Sequence, residues 1–302
     1  MNDFDLSQQL YDDQQTETVE PDILNWLDIS PGEFSIRDID YDLNIKTKEA
    51  KKKRLITLEG LVKGNKLERV GSKRGYYRPY QMDLTPLRIG KVDSQYIRFW
   101  LPFRLHDYVG IMPGNIIIIA GAPNAGKTAL LMNIIKNNRD YFNRIDYFNS
   151  EAGEEELNLR LSKFDGISTS DWSEKVYAWE RTDNFADVIQ PGKGSLNVID
   201  FLECHDEFYK MGQYIKEIHS KLKGAVAVIG IQKNAGQDNG LGGFRSMEKA
   251  RLAISMDNGK MKITKAKNFI TDLNPNGLQA DFKLVQGCKF VAKEMDGNVW
   301  YK

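Results

Sequence analysis

The sequence predicts an α/β fold in which a mostly parallel sheet carries a glycine-rich loop, behind a smaller domain of short helices and a hairpin. Three observations predict it. Residues 116–120, Ile-Ile-Ile-Ile-Ala, are a continuous apolar run of the length of a buried parallel strand. The run leads at once into Gly121-Ala122-Pro123-Asn124-Ala125-Gly126-Lys127-Thr128, and an apolar helix through Ala129, Leu130, Leu131, Ile134 and Ile135 follows. A second apolar segment, Leu196-Asn197-Val198-Ile199-Asp200-Phe201, reads as another strand and runs into an acid.

A chain of 302 residues holds one large domain, or a core and a smaller module. Its apolar and charged fractions are those of a globular protein, and no apolar run approaches the roughly 18 residues that span a bilayer. The first twenty residues are acidic and polar, without the cationic start or apolar stretch of a secretory signal, so the expectation is a cytoplasmic protein with no membrane partner. Cys204 and Cys288 form no CxxC pair and only three histidines accompany them, which leaves both as structural residues rather than a metal cage.

Zero net charge hides two opposed blocks. Residues 1–42 hold twelve acids against Arg37, and residues 43–80 hold twelve bases against Glu49, Glu59 and Glu68. Residues 1–20 lack periodicity and read as an acidic disordered tail. From Pro21, Ile23, Leu24 and Leu27 mark a first helix, Ile39 and Leu43 a second, and Leu55, Leu58, Leu61 and Val62 a third. Thr47 caps the third helix, Lys51, Lys52, Lys53 and Arg54 crowd its first turns, and Gly64 ends it. Residues 67–70 and 76–80 read as strands around Gly71-Ser72-Lys73-Arg74-Gly75. This pattern over residues 21–82 resembles a winged helix-turn-helix, which implies a third helix in a DNA groove and a wing, with Lys73 and Arg74, along phosphates. The alternative is a winged helix that binds protein. Residues 83–110, with Pro86 and Pro102, read as a linker into a domain over 111–302.

The loop at 121–128 has the residue types that phosphate binding requires. Its glycines let successive N–H groups turn inward, and the helix N-terminus adds partial positive charge. Lys127 would reach the β- and γ-phosphates of ATP, and Thr128 would place its hydroxyl on Mg²⁺. Asp200, where a strand emerges at the sheet's carboxyl edge, is placed beside the same ion as a Walker B acid. Thr128 and Asp200 are thus the candidate metal ligands.

Between these elements lies Ile145-Asp146-Tyr147-Phe148-Asn149-Ser150-Glu151, followed by the helical stretch Glu154-Glu155-Glu156-Leu157-Asn158-Leu159-Arg160-Leu161. Here the chain resembles the RecA/DnaB-type ATPases, and more closely their replicative-helicase side. The resemblance implies that Glu151 polarises the attacking water. It places the family's polar sensor on Gln232, after the strand Val226-Ala227-Val228-Ile229-Gly230-Ile231, and a DNA-binding loop on residues 233–244. Residues 246–255 read as a helix and strand. Met261-Lys262-Ile263-Thr264-Lys265-Ala266-Lys267-Asn268 resembles the strand that sends cationic fingers into a neighbour's site, which would make Lys265 and Lys267 catalytic in trans. The likeness covers about residues 103–270. Two departures stand out: lysine at 267 replaces the pattern's arginine, and the winged-helix-like module stands in place of a helical primase-interacting domain. Residues 271–302 read as a β-hairpin or edge strands with no catalytic role.

The function implied is a DNA-stimulated ATPase of RecA/DnaB type. It would act on single-stranded DNA in replication or recombination, assemble as a homo-oligomeric ring or filament, and bind duplex at the winged helix. The alternatives are an ATP-switched recombination, annealing or loading factor without helicase activity, and a P-loop kinase.

Overall fold

Alternation along one strand decides the layers of the larger unit. In the computed structural model, Ile117 and Ile119 of β4 (Ile116–Gly121) face one hydrophobic cluster while Ile116, Ile118 and Ala120 face another. A strand buried on both faces must be covered on both, as the unbroken apolar run requires. Helix α4 (Lys127–Asn138) covers the first face with Leu130, Leu131, Ile134 and Ile135, and α7 (Met211–Lys221) covers the second with Met211, Ile215 and Ile218. The structure describes residues 18–28, 32–71, 74–80, 89–90, 95–202, 210–294 and 298–302.

The remaining elements of this unit are β5 (Arg144–Asn149), α5 (Glu154–Leu161), α6 (Thr169–Ser173), β6 (Val176–Glu180), β7 (Ser195–Leu202), β8 (Val226–Gln232), β9 (Ala250–Asp257), β10 (Lys260–Ala266), β11 (Gln279–Val285) and β12 (Lys289–Ala292). They join β4 in a nine-stranded sheet of order β12-β11-β10-β9-β4-β8-β7-β5-β6. From β9 to β6 every pairing is parallel, whereas β10, β11 and β12 continue antiparallel. Parallel strands all end on one edge, so β4, β5, β7 and β8 deliver their last residues together.

The described residues divide into two compact units between Val92 and Asp93. The smaller has three helices, α1 (residues 18–28), α2 (Ile36–Asp42) and α3 (Lys48–Lys63), and an antiparallel sheet of order β1-β3-β2 built from Phe34–Ser35, Tyr76–Pro79 and Leu67–Arg69. Ser35 and Asp38 form a capping box at the start of α2, and Thr47 accepts from the Ala50 N–H at the start of α3. Ile23, Trp26, Phe34, Ile39, Leu58 and Tyr77 make a core of its own.

Four expectations are corrected. Residues 18–20 are helical and belong to α1, with Val19 buried, rather than tail; residues 1–17 lie outside the described residues. The basic face of α3 is not uniformly exposed: Arg54 is buried against Asp40, and Leu55 points outward in its place. The linker reading fails over its second half. Phe99, Leu101, Leu105 and Val109 are buried in the sheet's core, Ile97 bridges Ile111, and the Trp300 indole donates to the Phe103 carbonyl at 2.9 Å. Lastly, residues 243–249 hold only a short 3-10 turn, Gly243–Met247, before β9.

Separate cores imply separate stabilities. Leu58→Ala removes a fully buried side chain and should cost the smaller unit about 2–4 kcal/mol. Hydrogen exchange resolved by residue should then show protection lost across residues 34–79 and kept along β4.

Candidate functional site

The glycine-rich loop is shaped by its own side chains. A Cβ on Gly121 would meet Lys127 Cγ at 2.3 Å, so glycine there lets the lysine fold back over the strand end. Gly126 sits at φ +90, a conformation that favours glycine. It precedes α4 without a side-chain cap, which leaves the helix's first amides for an anion. Lys127 Nζ lies 3.3 Å from the Gly121 carbonyl and 5.3 Å from the Phe201 ring. Burial lowers its pKa, opposed by the carboxylates of Asp200 and Glu151.

Asp200, near the end of β7, is 3% exposed. It accepts the Tyr147 hydroxyl at 2.7 Å and the Thr128 hydroxyl at 3.3 Å. Burial raises its pKa, and those two hydrogen bonds hold it down. The main chain is fixed as well: the Ser150 amide donates to the Asp200 carbonyl at 3.0 Å, and Ser150 Oγ accepts from the Phe201 amide at 3.3 Å. Asn149 organises the turn after β5 by accepting the amides of Glu151 and Ala152 at 3.3 and 3.1 Å. Glu151 therefore leaves the strand exposed, at the mouth of a cleft of about 490 Å³.

Lys127, Thr128, Glu151 and Gln232 all line this cleft, and Asp200 lies behind it through Thr128. Gln232 is there because β8 pairs with β4 so that it stands beside Gly121. Hard oxygen donors from Thr128 and Asp200 suit Mg²⁺, which protein sites hold through one or two groups while phosphates and water complete the shell. Among the described residues no group of three or more acidic, histidine or cysteine side chains is placed to hold a metal.

Several residues that support or line the cleft carry no signal in the sequence. Tyr147 and Ser150 belong to the β5 segment and its turn, but no local pattern marks them as supports of Asp200. Arg160, Lys163 and Phe164 reach the cleft from α5 and the turn after it. Leu284 and Gly287 reach it from the β11–β12 hairpin, for which no site role was expected. Asn133 Nδ2 donates to the Cys288 carbonyl at 2.7 Å, and the Cys288 thiol donates to the Lys163 carbonyl at 3.1 Å, so the hairpin is pinned beside α4. Cys204, like Lys73 of the expected wing, lies outside the described residues.

Lys265 and Lys267 stand apart from the cleft. Antiparallel β10 ends where β9 begins, at the opposite edge of the sheet from the loop. The six residues of β4 put about 17 Å between those edges. Lys265 Nζ donates to the carbonyls of Met247 at 2.6 Å and Glu248 at 3.1 Å, while Lys267 lies one residue beyond the strand and is exposed. The segment read as a loop, 233–244, is anchored at its start: Lys233 is buried and donates to Asp257 at 2.8 Å and to the Gln237 carbonyl at 2.6 Å.

No family model matches the sequence, and no curated protein does. Among solved structures the chain is similar to the KaiC-like protein PH0186 from the hyperthermophilic archaea Pyrococcus horikoshii OT3, with 16% identity and a TM-score of 0.51, over 67% of this chain and 100% of that one. At this identity the likeness shows the fold, a mixed α/β domain on a large, mostly parallel sheet, consistent with a RecA-like domain. No helix among the described residues is long and apolar enough to cross a membrane.

Tyr147→Phe isolates the support of Asp200. Leaving a buried carboxylate oxygen without its donor should cost about 1–3 kcal/mol of stability in chemical denaturation. The missing hydrogen bond also removes a force that lowers the Asp200 pKa. If Asp200 holds Mg²⁺ through its carboxylate, apparent Mg²⁺ affinity should therefore begin to fall at a higher pH than in the unsubstituted protein when measured by calorimetry across a pH series.

Proposed function

We propose that the larger unit is an ATP hydrolase of RecA type that works on single-stranded DNA as a homo-oligomer. The arrangement that carries hydrolysis is Lys127 and Thr128 at an uncapped helix N-terminus, Thr128 hydrogen-bonded to buried Asp200, with Glu151 across the same cleft. The loop amides and Lys127 would bind and orient the phosphates. Thr128 and Asp200 would hold Mg²⁺, which when bound neutralises charge on the phosphate oxygens. Glu151 would orient a water and take its proton as the water oxygen bonds to the γ-phosphorus and the bond to the bridging oxygen of the β-phosphate breaks. Gln232, beside Gly121, would sense the γ-phosphate and pass its loss to the 233–244 loop.

Three features support action on DNA. The sequence resembles DNA-acting ATPases of the replicative-helicase side. Loop 233–244 ends at Phe244, which is 70% exposed, and exposed aromatics are stacking platforms for single-stranded bases. In the smaller unit, three helices and an antiparallel sheet have the makeup of a winged helix, with Lys48, Lys51 and Lys52 exposed on α3 and Arg74 exposed in the β2–β3 turn. Replication and recombination are the pathways this reading fits. A second reading, an ATP-switched DNA binder that does not unwind, is favoured by the finger positions: 267 holds a lysine, and Lys265 is tied to its own chain's carbonyls.

Lys127→Ala should abolish ATP hydrolysis measured as phosphate release, and Glu151→Gln should keep ATP binding while losing turnover, because an amide fills the space but is a poor base. Phosphate release at near wild-type rate in the lysine variant would defeat the reading. Removing residues 1–92 should leave basal hydrolysis nearly intact. It should also weaken duplex binding and flatten its salt dependence by about 0.9 in log–log slope for each DNA phosphate no longer neutralised. Equal duplex affinity with and without the smaller unit would identify it as a protein-binding module.

A further inference from the structure

The outward face of α3 mixes cations with uncovered apolar surface. Residues three and four apart share a helix face, so Lys48, Lys52, Leu55 and Glu59 lie along one line, with Lys51 and Ile56 on either side of it. All six are exposed, Leu55 at 41% and Ile56 at 57%. Lys53 and Arg54 are paired with Glu20 and Asp40, but among the described residues Lys48, Lys51 and Lys52 make no ion pair. Lysines alone would suit phosphates. Two adjacent aliphatic side chains in their midst gain instead from an apolar contact, which phosphates do not offer, so the face fits an occupant that is acidic and apolar together.

One segment of this chain has that composition. Residues 1–17 hold Asp3, Asp5, Asp12, Asp13 and Glu17 with no lysine or arginine, and Phe4, Leu6, Leu10 and Tyr11 stand among the acids. The segment joins the described structure beside the face in question: Glu20 lies 3.6 Å from Lys53, the neighbour of Lys52 on α3. The 16 residues of α3 span about 24 Å, and 17 extended residues reach up to about 56 Å, so the segment is long enough to run the length of the helix. A short tether also sets an effective concentration on the order of millimolar, at which a contact too weak to form between separate molecules is populated within one.

We propose that residues 1–17 dock on the outer face of α3 in the same chain, their apolar side chains covering Leu55 and Ile56 and their carboxylates meeting Lys48, Lys51 and Lys52. The smaller unit thereby masks its own cationic helix until a stronger polyanion displaces the segment. The inference stands apart from ATP hydrolysis by the larger unit, and it holds for any polyanion that the smaller unit takes.

The test uses the full chain. A carbodiimide, which condenses a carboxylate with a lysine amine in direct contact, should join Lys48, Lys51 or Lys52 to the acids of residues 3–17, and in a mixture of isotopically labelled and unlabelled protein the joined peptides should come from one chain. Leu55→Gln with Ile56→Gln leaves every charge in place, yet should cut those cross-links by roughly tenfold. The same variant should leave a heparin column at higher salt than the unsubstituted protein, because its lysines are released, with the far-ultraviolet circular dichroism unchanged. Phe4→Gln, Leu6→Gln, Leu10→Gln and Tyr11→Gln together leave α3 as it is and carry the same two expectations, so the proposal stays testable if the helix variant fails to fold. Cross-links that survive both glutamine sets would reduce the contact to tethered charge and overturn the docking, as would unchanged heparin elution in both. Links only between labelled and unlabelled chains would make a second copy the occupant, and no links, with Leu55→Gln and Ile56→Gln weakening duplex binding instead, would make α3 a DNA-reading face; either result overturns the proposal.

Discussion

A carboxylate taken out of water has to be met by donors or it will not stay charged, and Asp200 imposes that condition on everything near it. Its two oxygens draw on different strands' surroundings, one on Tyr147 from β5 and the other on Thr128 at the start of α4. Ser150 secures the adjoining main chain. The glycine-rich loop, the β5 turn that carries Glu151 and the end of β7 are thereby held to one point. Such a network is costly to leave half satisfied, which is why its members lie on rigid elements rather than on free loops.

The parallel sheet gives the larger unit two chemically different edges. At the carboxyl edge the strand ends, the uncapped helix start and exposed Glu151 surround the cleft; at the other edge Lys249, Arg251 and Lys267 lie together. The antiparallel strands β10, β11 and β12 contribute at both edges, because the turn after β11 returns to the cleft and the end of β10 carries the basic residues.

In the smaller unit the opposed charge blocks of the sequence partly cancel once folded. Glu20 and Asp40 of the acidic block meet Lys53 and Arg54 of the basic one, and within the basic block Glu59 meets Arg69 and Glu68 meets Arg78. Most of these pairs are exposed and individually contribute little to stability, but each occupies a cation that would otherwise face a polyanion. What remains outward on α3 is a narrower set than the run Lys51-Lys52-Lys53-Arg54 suggests.

The sequence by itself determined the glycine-rich loop, the acid near the end of a buried strand and the helix cap at Thr47, because each depends on residues close together in the chain and on a fixed local geometry. Apolar content could have corrected one misreading, since Phe99, Leu101, Leu105 and Val109 announce a core segment rather than a linker. Only the tertiary structure decided the rest. That Tyr147 rather than another β5 residue supports Asp200, that Leu284 and Gly287 wall the cleft, and that Arg251 faces Lys267 are facts of strand order and register. Nothing in local spacing encodes them, because the partners are brought together by pairing between strands far apart in sequence.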